Sequence, residues 1–184
     1  MKKIAFVLGL ILLQASSVLA SDEFRLTSPQ IAPGSKIAME QVFSGFGCTG
    51  QNISPQLNWT GVPKGTKSFA LTVYDPDAPT GSGWWHWVMF NIPAKLQSLP
   101  KNAGNPEAGL APSGSVQSRT DFGKPGFGGP CPPKGNKPHR YIFTLHALKI
   151  DKLPLDEKTP AAMVGYYLHM NTIAKTVLQA RYSR

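Results

Sequence analysis

The amino-acid sequence predicts a mainly β fold, and three observations carry that expectation. The chain holds 18 glycines and 17 prolines in 184 residues, so turn-forming positions recur at short intervals. Its apolar segments are short and separated by long polar connections. Two of them, Lys67 to Tyr74 and His86 to Ile92, are nearly continuous apolar runs rich in aromatic and branched residues, as in central strands covered on both faces.

Taken in order, the chain opens with Met1-Lys2-Lys3, an apolar run from Ile4 to Leu13, and Val18-Leu19-Ala20 ahead of Ser21-Asp22. A basic start, an apolar centre and small residues before the break describe a secretory signal peptide over residues 1–20, cut after Ala20. The run is too short for a membrane span, so no transmembrane segment is expected after cleavage. Residues 21–184 then form one exported domain, expected in the periplasm. The formal net charge of +9 is scattered from Arg25 to Arg184 without a run, which points to a solvated basic surface and away from nucleic acid.

Phe24 to Thr27, Lys36 to Phe43 and Leu57 to Thr60 read as early strands, the second alternating Ile37, Met39, Gln41 and Phe43 against Ala38, Glu40 and Val42. The two central runs follow, joined by a connection that holds Asp75-Pro76-Asp77-Ala78-Pro79 and Trp84-Trp85-His86. Residues 93–118 read as a long surface excursion, and 120–138 as a second Gly/Pro-rich loop. His139 to Leu148 is a strand with Tyr141, Phe143, Leu145 and Ala147 on one face. Thr159-Pro160 starts a helix that reaches about Asn171, with Thr159 as N-cap and an apolar stripe of Met163, Tyr166, Tyr167 and Met170. Thr176 to Tyr182 closes as a strand.

Two histidines each stand where a Gly/Pro-rich loop runs into a strand: His86 after the first loop and His139 after the second. If those strands share a sheet with these ends together, the rings meet near Asp75, a carboxylate able to fix an imidazole tautomer. Backbone N–H groups of the glycine-rich loops complete a small anion site. Tyr141 adds a hydroxyl, Trp84, Trp85, Pro132 and Pro133 form walls, and Asp77 supports the loop. His146, inside a strand, and His169, on the helix, read as ordinary polar residues. Closely spaced His or Cys pairs are missing, so neither metal nor cofactor is expected. Cys48 and Cys131 in an exported chain point to one disulfide, with two free buried thiols as the alternative. Asn52-Ile53-Ser54 and Asn58-Trp59-Thr60 match a glycosylation pattern.

Asp75-Pro76-Asp77-Ala78-Pro79 with His86-Trp87, and Gly129-Pro130-Cys131-Pro132-Pro133 with His139-Arg140-Tyr141, resemble the two signature regions of the phosphatidylethanolamine-binding protein family, which includes the Raf kinase inhibitor proteins. Ser54 to Trp59 resembles a third segment, and the likeness runs from about Arg25 to Tyr182, closest to the bacterial branch. It implies a large central antiparallel sheet packed on a smaller one, a few peripheral helices, and an anion pocket at one end. Asp75, His86 and His139 match pocket residues, Tyr141, Pro132 and Pro133 its wall, and Trp84 its rim. Such a fold brings Cys48 near the second loop, favouring its bridge to Cys131. Phe127 stands where bacterial relatives often carry Tyr, so a hydroxyl contact is expected to be lost there. The function this implies is a non-enzymatic envelope protein that binds a phospholipid head group, another phosphorylated ligand or a carboxylate. The alternatives are an inhibitor or interaction module that acts on a protein through the pocket rim, and a phosphoester hydrolase.

Overall fold

The computed structural model describes residues 23–184, and the expected signal peptide lies outside the described residues. In chain order the strands are β1 (Arg25–Thr27), β2 (Ser44–Gly45), β3 (Cys48–Thr49), β4 (Leu57–Thr60), β5 (Ser68–Asp75) and β6 (Trp84–Pro93). They continue as β7 (Ser98–Leu99), β8 (Val116–Gln117), β9 (His139–Leu148) and β10 (Thr172–Tyr182), with helix α1 (Ala161–Asn171) between the last two. A five-stranded antiparallel sheet has the order β10-β9-β5-β6-β8. A smaller antiparallel sheet, β1-β4-β7, packs against it, and β2-β3 is a separate hairpin.

The expected mainly β architecture is therefore present, and the pattern of burial explains it. Every residue of β5 except Tyr74 is buried, because one face of the large sheet meets the small sheet and the other meets α1. The first interface joins Leu26, Leu57, Trp59 and Leu99 to Phe69, Leu71, Val73, Trp87 and Phe143. Each such side chain contributes about 1.5–3 kcal/mol on burial. The second interface sets Ala161, Val164 and Leu168 against Ala70, Val88, Phe90 and Leu148. In β9, Tyr141, Phe143, Leu145 and Ala147 share the inner face as expected.

Helix α1 has a different inner face from the expected one. Met163, Tyr166 and Met170 are about half exposed or more, while Ala161, Val164 and Leu168 are buried. The segment Ala161 to Leu168 carries apolar side chains nearly all round, so periodicity does not select a face. Small residues let the helix lie close to the sheet, and its end passes directly into β10 at Thr172, which fixes its phase. Thr159 does not cap it; Pro160 is the N-cap residue, and the Thr159 hydroxyl bonds Asp156 instead.

Lys36 to Phe43 is also not a strand. Only Lys36 bridges a neighbour, Arg181, and the following residues turn back to meet the 50–53 segment. Met39 is half exposed whereas Gln41 and Val42 are both buried, so the alternation in the sequence has no counterpart in the packing. The 93–118 excursion contains β7 and β8 and buries Leu99, Ala103 and Ser118, so it is more than a surface loop.

Candidate functional site

The order of pairing in the large sheet creates the site. Because β5 lies between β6 and β9 and runs antiparallel to both, its last residue, Asp75, lies at the end of the sheet where both neighbours begin. β6 begins at Trp84, which pairs with Asp75, and β9 begins at His139, three residues before the Ile142 that pairs with Tyr74. His86 and Tyr141 follow two positions later, on the same faces as Trp84 and His139. Two loops far apart in sequence, 76–83 and 118–138, thus overhang one sheet edge.

A cavity of about 220 Å³ opens there. Its lining includes Asp75, Trp84, His86, Pro132, Pro133, His139 and Tyr141, so the structure brings these seven together. Phe46, Ala78, Pro79, Thr80, Phe122 and Cys131 complete the lining. Trp85 lies on the opposite face beside Thr72 and Leu168, its ring tilted by 41° against Tyr74 with centroids 4.5 Å apart, so it is not a wall. Phe127 is buried against Trp87 and is not part of this lining.

Asp75, His86, His139 and Tyr141 are all buried, and they form the floor. His139 Nδ1 donates to Asp75 Oδ2 at 2.7 Å, and Asp75 Oδ1 accepts from the Asp77 N–H at 2.8 Å. The other ring nitrogen of His139, Nε2, lies 3.3 Å from Asn136 Oδ1. Both neighbours of this ring are acceptors, so a ring protonated on both nitrogens is hydrogen-bonded on both.

His86 is held differently. Its Nδ1 donates to the Gly128 carbonyl at 2.6 Å, and the Gly128 N–H returns a bond to the His86 carbonyl at 2.8 Å. Asp75 therefore orients His139 and not both histidines. Burial pushes the His86 pKa down to about 4, against the opposing pull of the Gly128 carbonyl and the Asp75 charge. The ring is neutral near pH 7, and with its proton on Nδ1 the lone pair rests on Nε2. Tyr141 stands edge-on to His86 at 5.1 Å between centroids, and its buried hydroxyl has no hydrogen-bond partner. Burial, followed by the Asp75 charge, raises its pKa, so the hydroxyl remains a proton donor.

The surrounding loops are fastened by polar clamps that local sequence patterns hide. Asp77 accepts from the Arg140 backbone N–H and Nε, both at 2.9 Å, and from Nη2 at 2.7 Å, which ties the first loop to β9. That fork holds the Asp77 carboxyl down to about 2. Asn52 spans the second loop, accepting from the Gly129 N–H at 2.7 Å and donating to the Phe127 carbonyl at 3.1 Å. Its side chain is thereby structural, whatever its match to a glycosylation pattern. A β-carbon at Gly129 would fall 1.9 Å from the Gln41 carbonyl oxygen, so only glycine fits this crossing.

Cys48 and Cys131 are joined, with their Cα atoms 6.0 Å apart, and the bridge pins the β2-β3 hairpin to the cavity wall. Arg140, Asn52, Phe46 and Phe122 are absent from the sequence-derived site. A Phe flanked by glycines, Gly45-Phe46-Gly47, is the one local cue that an aromatic ring is displayed at a turn.

Comparison with known proteins follows the same lines. The family profile described as Phosphatidylethanolamine-binding protein matches residues 27–183. The chain is 58% identical over 151 residues to YbcL of Escherichia coli, covering 82% of each protein. It is 50% identical over 159 residues to YbhB of the same organism, covering 86% of this chain and 99% of YbhB. The crystal structure of E. coli YbcL superposes with a TM-score of 0.87 over 88% of this chain and 99% of that one, at 55% identity.

Proposed function

The chain belongs to the phosphatidylethanolamine-binding protein family, and from that premise we propose that it is a non-enzymatic binding protein of the cell envelope whose cavity takes a phosphate-type or carboxylate anion. One observation carries this reading: a buried Asp75–His139 pair lies beside the unpartnered hydroxyl of Tyr141 at the floor of an open cavity. A buried donor without a partner costs about 1–3 kcal/mol, and an oxyanion would recover it. Both oxygens of Asp75 already accept hydrogen bonds, so its charge is directed into the His139 ring and the Asp77 backbone. The Tyr141 hydroxyl is then the floor donor left for a ligand.

The Asp75 carboxylate and the Thr80 hydroxyl, the lining groups best suited to attack, are each held by hydrogen bonds within the protein, which suits binding better than turnover. Among the described residues no Ser lines the cavity, and Cys131 is in the disulfide. Titration calorimetry with sulfate, whose charge is constant between pH 5 and 8, tests the reading. Affinity rises as pH falls toward 5, because a bound anion favours protonation of His86, whose pKa burial holds at about 4 in the free protein. His139→Ala loses binding while its thermal melt remains cooperative. Equal sulfate affinity in wild type and His139→Ala would remove the histidine from the site.

A further inference from the structure

Resting on that reading of the cavity as an anion site, we propose that its ligand carries the oxyanion on a flat apolar body, as in an aryl phosphate or aromatic carboxylate, and that Phe46 selects the body. The polar atoms of the cavity lie at the buried floor. Above them stand Phe46, Trp84, Phe122, Pro79 and Pro133. The hydroxyl of Thr80 already donates to the Gly83 carbonyl, which leaves the Trp84 indole N–H as the one other polar side-chain group of this wall. A hydrophilic body such as a polyol would have to leave water for a wall with one donor and no side-chain acceptor to offer its hydroxyls.

The rings are arranged for an aromatic guest. Trp84 meets Phe122 edge to face, with centroids 5.5 Å apart and planes at 86°, and His86 meets the same ring at 5.4 Å and 69°. Phe46 lies nearly parallel to Phe122, at 12° and 6.0 Å. Edge-to-face and offset-stacked geometries are those that aromatic pairs favour. A cavity of about 150 Å³ accepts benzene, and this one is about 220 Å³. The difference accommodates an oxyanion at the floor.

Phe46 itself is unusual in three respects that act together. Its φ is +53°, a left-handed conformation that a residue with a β-carbon adopts at a cost. The residue is 68% exposed, so core burial does not offset that cost. Its backbone is nevertheless held firmly: Arg184 donates to the Phe46 carbonyl at 3.3 Å, the Gly47 carbonyl at 2.9 Å and the Pro132 carbonyl at 2.6 Å. The Cys48–Cys131 bridge fastens the same hairpin two residues on. Strain, exposure and anchorage are consistent with a ring that is kept at the mouth to meet a guest.

Calorimetry with three probes, inorganic phosphate, glycerol phosphate and phenyl phosphate, tests the proposal. Phenyl phosphate binds at least tenfold more tightly than glycerol phosphate to the wild type. Phe46→Gly, which suits the left-handed backbone and remains folded by thermal melt, lowers that ratio at least fivefold. Trp84→Leu lowers it independently from the other side of the cavity. Glycerol phosphate matching phenyl phosphate in the wild type overturns the proposal, as does an undiminished ratio in both variants. If inorganic phosphate binds without an aromatic preference, the anion site stands and only the aromatic body fails. If none of the three binds, the anion reading fails and this inference with it.

Discussion

His86→Gln is expected to make the fold less sensitive to acid. In the folded chain burial holds the imidazole pKa at about 4, whereas an unfolded histidine titrates near 6.5. A histidine with a depressed folded pKa contributes its full stability above 6.5 and loses it as pH falls toward 4, because the unfolded chain takes up a proton that the folded chain refuses. At about 1.4 kcal/mol per pKa unit, the loss is about 2 kcal/mol by pH 5 and about 3 kcal/mol below pH 4. His146 acts in the same direction, its pKa lowered to about 4 by burial and then by the Lys175 charge. Partial exposure of that ring reduces its share to about 1 kcal/mol. The Asp77 carboxyl titrates near 2 and stays ionised throughout this range. Urea unfolding at pH 7, 6 and 5 therefore gives a loss of about 3 kcal/mol in wild type and about 1 kcal/mol in His86→Gln. Glutamine can donate to the Gly128 carbonyl in place of Nδ1, which keeps the second loop in place. An identical pH slope in the two proteins would mean that His86 is not held neutral by burial.

Three further perturbations separate other parts of the design. Replacing Cys48 and Cys131 by Ser opens a bridge that spans 83 residues, for which chain entropy sets a ceiling of about 4.5 kcal/mol. The protein stays folded, since Arg184 still ties the hairpin to Pro132, and its melting temperature drops by about 10 °C. An unchanged melt would show that the hairpin adds nothing to global stability. Gly129→Ala forces a β-carbon against the Gln41 carbonyl and destabilises by about 2 kcal/mol or more in urea, whereas Gly165→Ala, with open space around it in α1, stabilises by about 0.5–1 kcal/mol. A neutral Gly129→Ala would contradict the close crossing. Asp77→Asn removes the charge from the Arg140 fork and costs about 1 kcal/mol at pH 7. This stability contribution is present above pH 4 and is lost as pH falls through 2; a difference that persists unchanged at pH 2 would exclude the ion pair as its source.

The sequence disclosed the strands that had no alternative. β5 and β6 are continuous apolar runs and β9 alternates cleanly, so each could be placed without tertiary information. Helix α1 was legible as a helix but not in its orientation, because apolar side chains nearly encircle it and the choice of Val164 over Tyr166 rests on how closely it approaches the sheet. Lys36 to Phe43 alternates like a strand, yet no neighbouring strand offers it a full ladder, and alternation without a partner does not make a strand.

The cavity residues divide the same way. Asp75, His86 and His139 stand out because each closes a strand against a Gly/Pro-rich loop, and a single topological fact, that β5 lies between β6 and β9, turns that local signal into a common place. Arg140 and Asn52 carry no such signal. Their partners, Asp77 and the Gly129 peptide, lie more than sixty residues away in sequence. Phe46 and Phe122 are similarly remote, and they meet because the disulfide and Arg184 fold one hairpin over the other loop. The polar floor thus arises from strand ends and the aromatic mouth from loop crossings. Changes in the crossings can alter which body the cavity accepts while the Asp75–His139 pair that would meet its charge stays where the sheet puts it.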